Sequence, residues 1–206
     1  MDVKNITKKM KKVIVILIMS LCYSLGFAQN INIQTITENE YHLLKDQQID
    51  NALDTLLSIK EENDFIYIPL DNGFLTLMND TLEEHLADLI IHKCLGFSDA
   101  FNVYVMDVTK FTHNETWFID KSNGNIVKAL RFYCCSDKYI VSYDIPECDR
   151  YVGINIYRKT KNGLEKMYCI KPDWFIENMF CIGENVFVAE ARTLSITENL
   201  FFKIVL

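Results

Sequence analysis

Residues 101–132 read FNVYVMDVTKFTHNETWFIDKSNGNIVKALRF and contain three short segments rich in aromatic and β-branched side chains. The segments are Phe101–Met106, Thr116–Asp120 and Ile126–Phe132. Such side chains favour strands, and Asn123-Gly124 supplies the positive φ angles of a tight hairpin turn between the last two segments. Because short connections make neighbouring strands antiparallel, this stretch predicts an antiparallel meander.

The same pattern continues to the C-terminus. Six further strands are predicted at Tyr139–Tyr143, Val152–Tyr157, Leu164–Ile170, Trp174–Ile182, Val186–Arg192 and Leu200–Leu206, with another turn at Asn162-Gly163. Residues 165–176 also align with residues 177–188 at a shift of twelve. That period is usual for the strands of a sandwich or barrel and far below the ~40 residues of a propeller blade. We therefore expect a sandwich, a curved sheet or a barrel-like closure.

The composition of the last segment predicts a strand that is part of the fold and not a flexible tail. Residues 199–206 (NLFFKIVL) carry one charge and no Pro, and an open edge of that kind invites association. We expect residues 200–205 to pair with a preceding strand. Since neighbouring residues on a strand face opposite sides, one of Phe201 and Phe202 should be inside and the other turned outward or covered by a helix.

The N-terminal half has a different pattern, which predicts a helix, a hairpin and a second helix. Thr37 and Glu40 form a capping box ahead of an interrupted apolar stripe that extends to Lys60. Residues 65–78 alternate around Asp71-Asn72-Gly73, a hairpin signal, and Thr81–Leu95 has helical spacing of leucines before Gly96. The predicted class is α+β, with residues 29–100 as the helix-hairpin-helix part and residues 101–206 as the strand part of one domain.

Residues 1–28 have the three regions of a signal peptide. Five lysines between Lys4 and Lys12 precede the apolar run Val13–Leu21, and Gly26-Phe27-Ala28 places small residues before a cleavage point. We expect cleavage after Ala28 and export of the protein to the periplasm, the cell surface or the medium, with no membrane span left. An uncleaved anchor and a lipoprotein modified at Cys22 are the alternatives.

The charge balance bears on the possible partners. The whole chain has a formal charge of −7, and removal of residues 1–28 takes away five Lys and one Asp and leaves −11. An acidic surface repels phosphate backbones and anionic membranes. Nucleic acid is therefore an unexpected partner.

Six cysteines follow the predicted cleavage point: Cys94, Cys134, Cys135, Cys148, Cys169 and Cys181. In an exported protein an even number permits disulfides, but fifteen connectivities are possible and the sequence does not choose among them. Most of the six lie in apolar runs, where a free buried thiol is the simpler interpretation. At most one of the neighbours Cys134 and Cys135 should be buried if one face of the sheet is exposed to solvent.

Two groups of residues could carry chemistry. On a helix, His85, Asp88 and His92 would share one side, but two turns separate the histidines, so a zinc site there would need a ligand from a third element. His113 lies in a polar loop, where a nearby carboxylate or hydroxyl would allow acid–base chemistry. Neither group forms a recognisable catalytic motif, so no catalytic, cofactor or metal residue is assigned.

The remaining signal is the large number of aromatic residues in the strand half. Trp and Tyr side chains that are left on a partly exposed face suit contacts with ligands, whereas a fold with two buried sheet faces would absorb them. We expect an exported, non-catalytic, β-rich protein that binds a protein, a glycan or a small apolar ligand. The alternative is an extracytoplasmic hydrolase that uses His113 with a nearby carboxylate.

Overall fold

The computed structural model describes residues 31–49, 53–55, 59–80, 89–144, 153–193 and 199–206. Fifteen strands and one short helix make up the regular structure of these residues. Residues Ile33–Val205 cluster into one compact unit. No helix in this described part is long and apolar enough to cross a bilayer.

The strands form four sheets. Within each sheet, strands that stand next to each other below are hydrogen-bonded neighbours. Sheet I contains β2 (Lys60–Glu62), β3 (Phe65–Leu70) and β4 (Gly73–Met78). Sheet II contains β5 (Ile90–Ser98), β6 (Val103–Lys110), β7 (Asn114–Asp120) and β8 (Ile126–Leu130). Sheet III contains β12 (Gly163–Ile170), β11 (Ile154–Thr160), β10 (Tyr139–Tyr143) and β9 (Phe132–Cys135). Sheet IV contains β13 (Trp174–Gly183), β14 (Val186–Thr193), β15 (Leu200–Val205) and β1 (Asn32–Thr35).

Sheets I to III are antiparallel meanders, which confirms the connectivity predicted from the turns. Tight hairpins occur at Asp71-Asn72, between β3 and β4, and at Lys161-Asn162, between β11 and β12. The predicted hairpin over residues 65–78 is therefore confirmed. Its positive φ angle is at Gly73 (+133°) and not at Asn72.

The structural repeat is longer than the twelve residues seen in the sequence. The first strands of sheets II, III and IV begin at Ile90, Phe132 and Trp174, a period of 42 residues. A four-stranded meander of about that length is the size of a propeller blade. The two aligned segments, residues 165–176 and 177–188, do not occupy equivalent places in one sheet, because β12 lies in sheet III whereas β13 and β14 lie in sheet IV.

Sheet II is buried on both faces, and this explains the dense aromatic content of the chain. Along β6, Tyr104, Met106 and Val108 pack toward sheet I, with Ile66 and Ile68 of β3 in the same cluster. The alternate residues of β6 pack toward sheet III, and the buried members of that second cluster are Phe101, Val103, Val105, Phe118, Ala129, Ile140 and Tyr157. Successive side chains of a strand point to opposite faces, so a strand that is buried on both faces needs apolar residues in both alternating sets.

Sheet IV carries the only helix among the described residues, α1 (Glu38–Lys45), on one face. Tyr41, which is 2% exposed, packs there with Phe180, Val188 and Phe201. Sheet IV also contacts sheet III. The hydroxyl of Ser136, which follows β9, donates a hydrogen bond of 2.6 Å to the carbonyl oxygen of Glu184, which follows β13. One face of sheet IV is thus covered by a helix.

The predicted helix over Thr37–Lys60 is correct only in its first turns. The N-cap is confirmed, since the Thr37 hydroxyl accepts a hydrogen bond from the backbone N–H of Glu40, but α1 ends at Lys45 and residues 60–62 are a strand. Residues 50–52 and 56–58 lie outside the described residues. Beyond the helix, the backbone N–H of Ile49 donates to the carbonyl of Cys181 and Asp54 bridges to Phe97. Strands distant in sequence thus provide the hydrogen bonds that a longer helix would have made internally.

The predicted helix over Thr81–Leu95 was wrong for residues 90–95, which belong to β5. Residues 81–88 lie outside the described residues. Gly96 does not end a helix. It lies within β5 at a register shift, with φ +147°, and a Cβ there would come within 2.9 Å of the Asp54 carbonyl oxygen. The described fold is therefore mostly β with antiparallel sheets, and outside α1 the described residues of the predicted helices form turns, irregular segments and strands.

Candidate functional site

The outer face of sheet I is the candidate site. It is formed by three cross-strand pairs of β3 and β4: Phe65 with Met78, Tyr67 with Thr76 and Pro69 with Phe74. The alternate residues of both strands point into the core against sheet II. Phe74 is 71% exposed, Met78 57% and Phe65 37%. A row of large apolar side chains therefore faces solvent across the hairpin.

The exposed apolar area of this face is as large as the largest apolar patches on typical monomeric proteins. If a full side chain of this kind has about 200 Å² of surface, the exposed parts of Phe65, Phe74 and Met78 amount to roughly 300 Å². Contiguous apolar patches of a few hundred Å² are the largest on typical monomers and are often functional. The border is polar, since Lys60 pairs with Glu62 at 2.5 Å and lies over the Tyr67 ring at 5.4 Å.

The hairpin was predictable from the sequence, but its exposed face was not. In Phe65-Ile66-Tyr67-Ile68 both alternating sets of side chains are apolar, so the period alone does not say which set is buried. The packing of Ile66 and Ile68 against sheet II decides it. The only signal in the sequence was the presence of apolar residues on both faces of a short hairpin.

His113 is part of an ion cluster at the end of the β6–β7 hairpin. Its Nε2 lies 2.9 Å from Oε1 of Glu115, and its Nδ1 lies 2.8 Å from the hydroxyl of Thr112. The other carboxylate oxygen of Glu115 receives hydrogen bonds from Lys110 at 2.7 Å and from the Trp117 indole at 2.8 Å. Because a carboxylate only accepts, Nε2 donates to Glu115 and Nδ1 of a neutral ring is left to accept from Thr112.

The same cluster keeps Glu115 ionised. Burial by itself would raise the pKa of this carboxyl, but hydrogen bonds from Lys110, Trp117 and His113 outweigh it and lower the pKa to about 2. A carboxylate held so firmly in its charged form does not exchange a proton near neutral pH. Its evident role is to tie the two strands of the hairpin together.

Glu115 should make the protein acid-labile. A folded-state pKa below the ordinary value of 4.5 means that its contribution to stability is complete above pH 4.5 and is lost as pH falls toward 2. The shift corresponds to at most about 3 kcal/mol. We expect Glu115→Gln to be less stable at pH 7, with a melting temperature that changes less than that of the wild type between pH 5 and pH 2. Glu165→Gln, at an exposed carboxylate, is the control; equal acid sensitivity of the wild type and Glu115→Gln would contradict this role.

His92 lies on a strand and not on the helix that the zinc hypothesis required. It lies in β5 and is 7% exposed, and the amide oxygen of Asn79 accepts from its backbone N–H at 2.7 Å and lies 2.9 Å from its Nδ1. Burial lowers the pKa of this imidazole. His85 and Asp88 lie outside the described residues. Within the described part of the chain, no group of three His, Cys, Asp or Glu side chains could hold a metal ion.

No disulfide joins any two of the five cysteines that the structure describes, while Cys148 and Cys22 lie outside the described residues. Cys181 is buried and Cys169 exposed, and the remaining three, Cys94, Cys134 and Cys135, are half-buried. A depression of about 220 Å³ is lined by Cys134, Cys135 and Cys181 together with Tyr133 and Met179. Burial and the nearby Cys181 raise the pKa of Cys135 to about 12, and burial likewise raises the pKa of Cys134 and Cys181. Protonated thiols of this kind are poor nucleophiles and poor metal ligands.

Comparison of the chain with protein-family models, with curated proteins and with solved structures finds no match. The assignment of a function therefore depends on the geometry of the molecule itself.

Proposed function

We propose that this chain is an exported, non-catalytic binding protein that recognises a partner protein through the outer face of sheet I. The observation that carries the proposal is the exposure of Phe65, Phe74 and Met78 on one side of the β3–β4 hairpin. Burial of such side chains on association is favourable in proportion to the apolar area removed from water. Export rests on the signal-peptide pattern of residues 1–28 and stays a prediction.

The chemistry of the face favours a protein over a small apolar ligand or a nucleic acid. Aromatic residues and Met are enriched at the centres of protein interfaces, with charged residues at the rim, and Lys60 and Glu62 stand at the border of the face. Small apolar ligands bind in concave pockets that bury most of their surface, whereas this site is the open surface of a sheet. The formal charge of −7 disfavours nucleic acid.

The hydrolase alternative has one observation in its favour. Thr112, His113 and Glu115 stand in the order hydroxyl, imidazole and carboxylate, which resembles the order in a catalytic triad. However, His113 is only one of three donors to Glu115, as expected of a structural ion cluster. Hydrolysis of p-nitrophenyl acetate by the wild type that is lost in His113→Ala would favour this alternative.

A site-specific crosslinking experiment tests the binding function. A photo-reactive phenylalanine analogue at position 74 should give a discrete adduct with a protein other than this chain in the cells that produce it, besides any adduct with a second copy. Met78→Lys should reduce that adduct about tenfold, because a charge is placed in the apolar contact. Position 43 is the matched control, since Leu43 is 68% exposed but lies on α1.

The outcomes separate clearly. An adduct that forms at position 74, is absent at position 43 and is lost with Met78→Lys supports binding through the outer face. Equal adducts at both positions, adducts with copies of the same chain only, or no adduct at position 74 would contradict it.

A further inference from the structure

Sheet I has fewer described strands than the other sheets, and β4 lies at its edge. Among the described residues, which do not include residues 81–88 beyond β4, sheets II, III and IV each have four strands, sheet I has three, and β4 pairs with β3 alone. In sheet IV the fourth strand, β1, comes from the opposite end of the chain. This fold thus already completes one sheet by adding a strand from elsewhere.

β4 also lacks the charges that protect an exposed edge. Edge strands usually carry charged side chains or Pro, which prevent pairing with another chain. Five of the other edge strands carry a charge, among them Lys60 in β2, Lys128 in β8 and Lys166 in β12, whereas the uncharged edge strands β1 (NIQT) and β9 (FYCC) are only four residues long. The sequence of β4, GFLTLM over Gly73–Met78, contains neither a charge nor Pro. Its edge is therefore suited to pairing with another strand.

We propose that β4 pairs with β4 of a second copy of this chain, antiparallel, around a two-fold axis at Thr76. Residues directly opposite each other share a face of the sheet, so the axis must pass through a residue and not between two residues. With the axis at Thr76, Phe74 meets Met78 of the partner subunit on the outer face, Leu75 meets Leu77 of the partner subunit on the inner face, and the two threonines meet at the centre.

This register is self-complementary. Every apolar residue of the set meets an apolar residue, the two threonines can share a hydrogen bond, and no charges are opposed in spite of the net charge of −7. An axis at Leu75 would instead pair Phe74 with Thr76 of the partner subunit and leave Met78 beyond the paired segment. A two-fold interface of this kind closes on itself, so the assembly stops at a dimer.

The pairing also enlarges the outer face. The two copies of Phe65, Phe74 and Met78 would form one continuous surface of at most roughly 600 Å², less the area buried where Phe74 meets Met78 of the partner subunit, compared with the ~800 Å² that each partner contributes to a standard interface. The dimer stands independently of the proposed partner protein, because its edge contacts involve only copies of this chain.

Charge substitutions at Thr76 test this arrangement by analytical ultracentrifugation. The wild type should sediment at twice the mass of the single chain. Thr76→Lys and Thr76→Glu should each be monomeric, with dimerisation weakened at least about tenfold, because like charges would meet at the axis. A mixture of the two variants should recover the dimer, since Lys then faces Glu.

Analytical ultracentrifugation of a control variant shows whether the effect is specific to Thr76. Asn162→Lys, at an exposed turn of sheet III, should remain dimeric, and circular dichroism should show that the exposed Thr76 variants stay folded. A monomeric wild type at about 100 µM, a dimeric Thr76→Lys, or a mixture that stays monomeric would overturn the proposal. None of these results depends on whether a partner protein binds the outer face.

Discussion

Deletion of residues 200–206 should abolish cooperative folding. The predicted pairing of the last strand is confirmed, since β15 pairs with β14 and lies between β14 and β1 in sheet IV. Phe201 and Phe202 face opposite sides, as expected: Phe201 packs beneath α1 against Tyr41, with ring centroids 4.8 Å apart, and Phe202 stacks on Trp174 at 4.3 Å. With Ile204, which is fully buried, three apolar side chains would be lost at about 1.5–3 kcal/mol each.

That loss is comparable with the whole free energy of unfolding of a typical domain, ~5–15 kcal/mol. Thermal unfolding followed by circular dichroism checks it, and Phe202→Ala alone should cost about 3–5 kcal/mol. Lys203→Ala is the matched control in the same strand and should change stability by no more than about 0.5 kcal/mol. A truncated chain that retains the wild-type melting temperature would show that the segment is a detachable tail.

Gly153→Ala should be the most damaging methyl addition in the described residues. Gly153 has φ +92°, and a Cβ there would stand 2.3 Å from the carbonyl oxygen of Ile170. Ile170 pairs with Ile154 at the start of β11, so the clash could be relieved only by separating two strands of sheet III. The backbone conformation alone costs about 1–3 kcal/mol for a residue other than glycine, and the displaced pairing adds to it.

Gly183→Ala provides the comparison, because a Cβ at Gly183 meets no atom within 4 Å and its φ lies outside the left-handed region. That variant should be neutral or slightly more stable, since Ala restricts the unfolded chain more than Gly does. Urea titration of both variants measures the difference. Equal midpoints for Gly153→Ala and Gly183→Ala would contradict the close contact with Ile170.

The strand half of this protein could be predicted from the sequence because its signals are local. Tyr139–Tyr143 is a strand with the predicted bounds, and Asn162-Gly163 ends one hairpin turn and begins the next strand. Side-chain stiffness, alternation and turn conformation act within a few residues. The N-cap at Thr37 was predictable for the same reason.

The N-terminal half and the candidate site depended on partners distant in the chain. Leucines at helical spacing did not reveal that Ile49 would bond to Cys181 or that β5 would pair with β6 along its whole length. Likewise, the residues of Phe65–Ile68 did not by themselves distinguish the buried face from the exposed one.

The sequence by itself thus determined most of the strands and turns of residues 101–206, since these choices follow from each residue and its immediate neighbours. Only the tertiary structure decided which side of the β3–β4 hairpin faces solvent, and therefore which surface is available to a partner. The physical reason is that burial belongs to a pair of surfaces: Ile66 and Ile68 are core residues because Tyr104 and Met106 of β6 cover them, while Phe65 and Phe74 stay exposed.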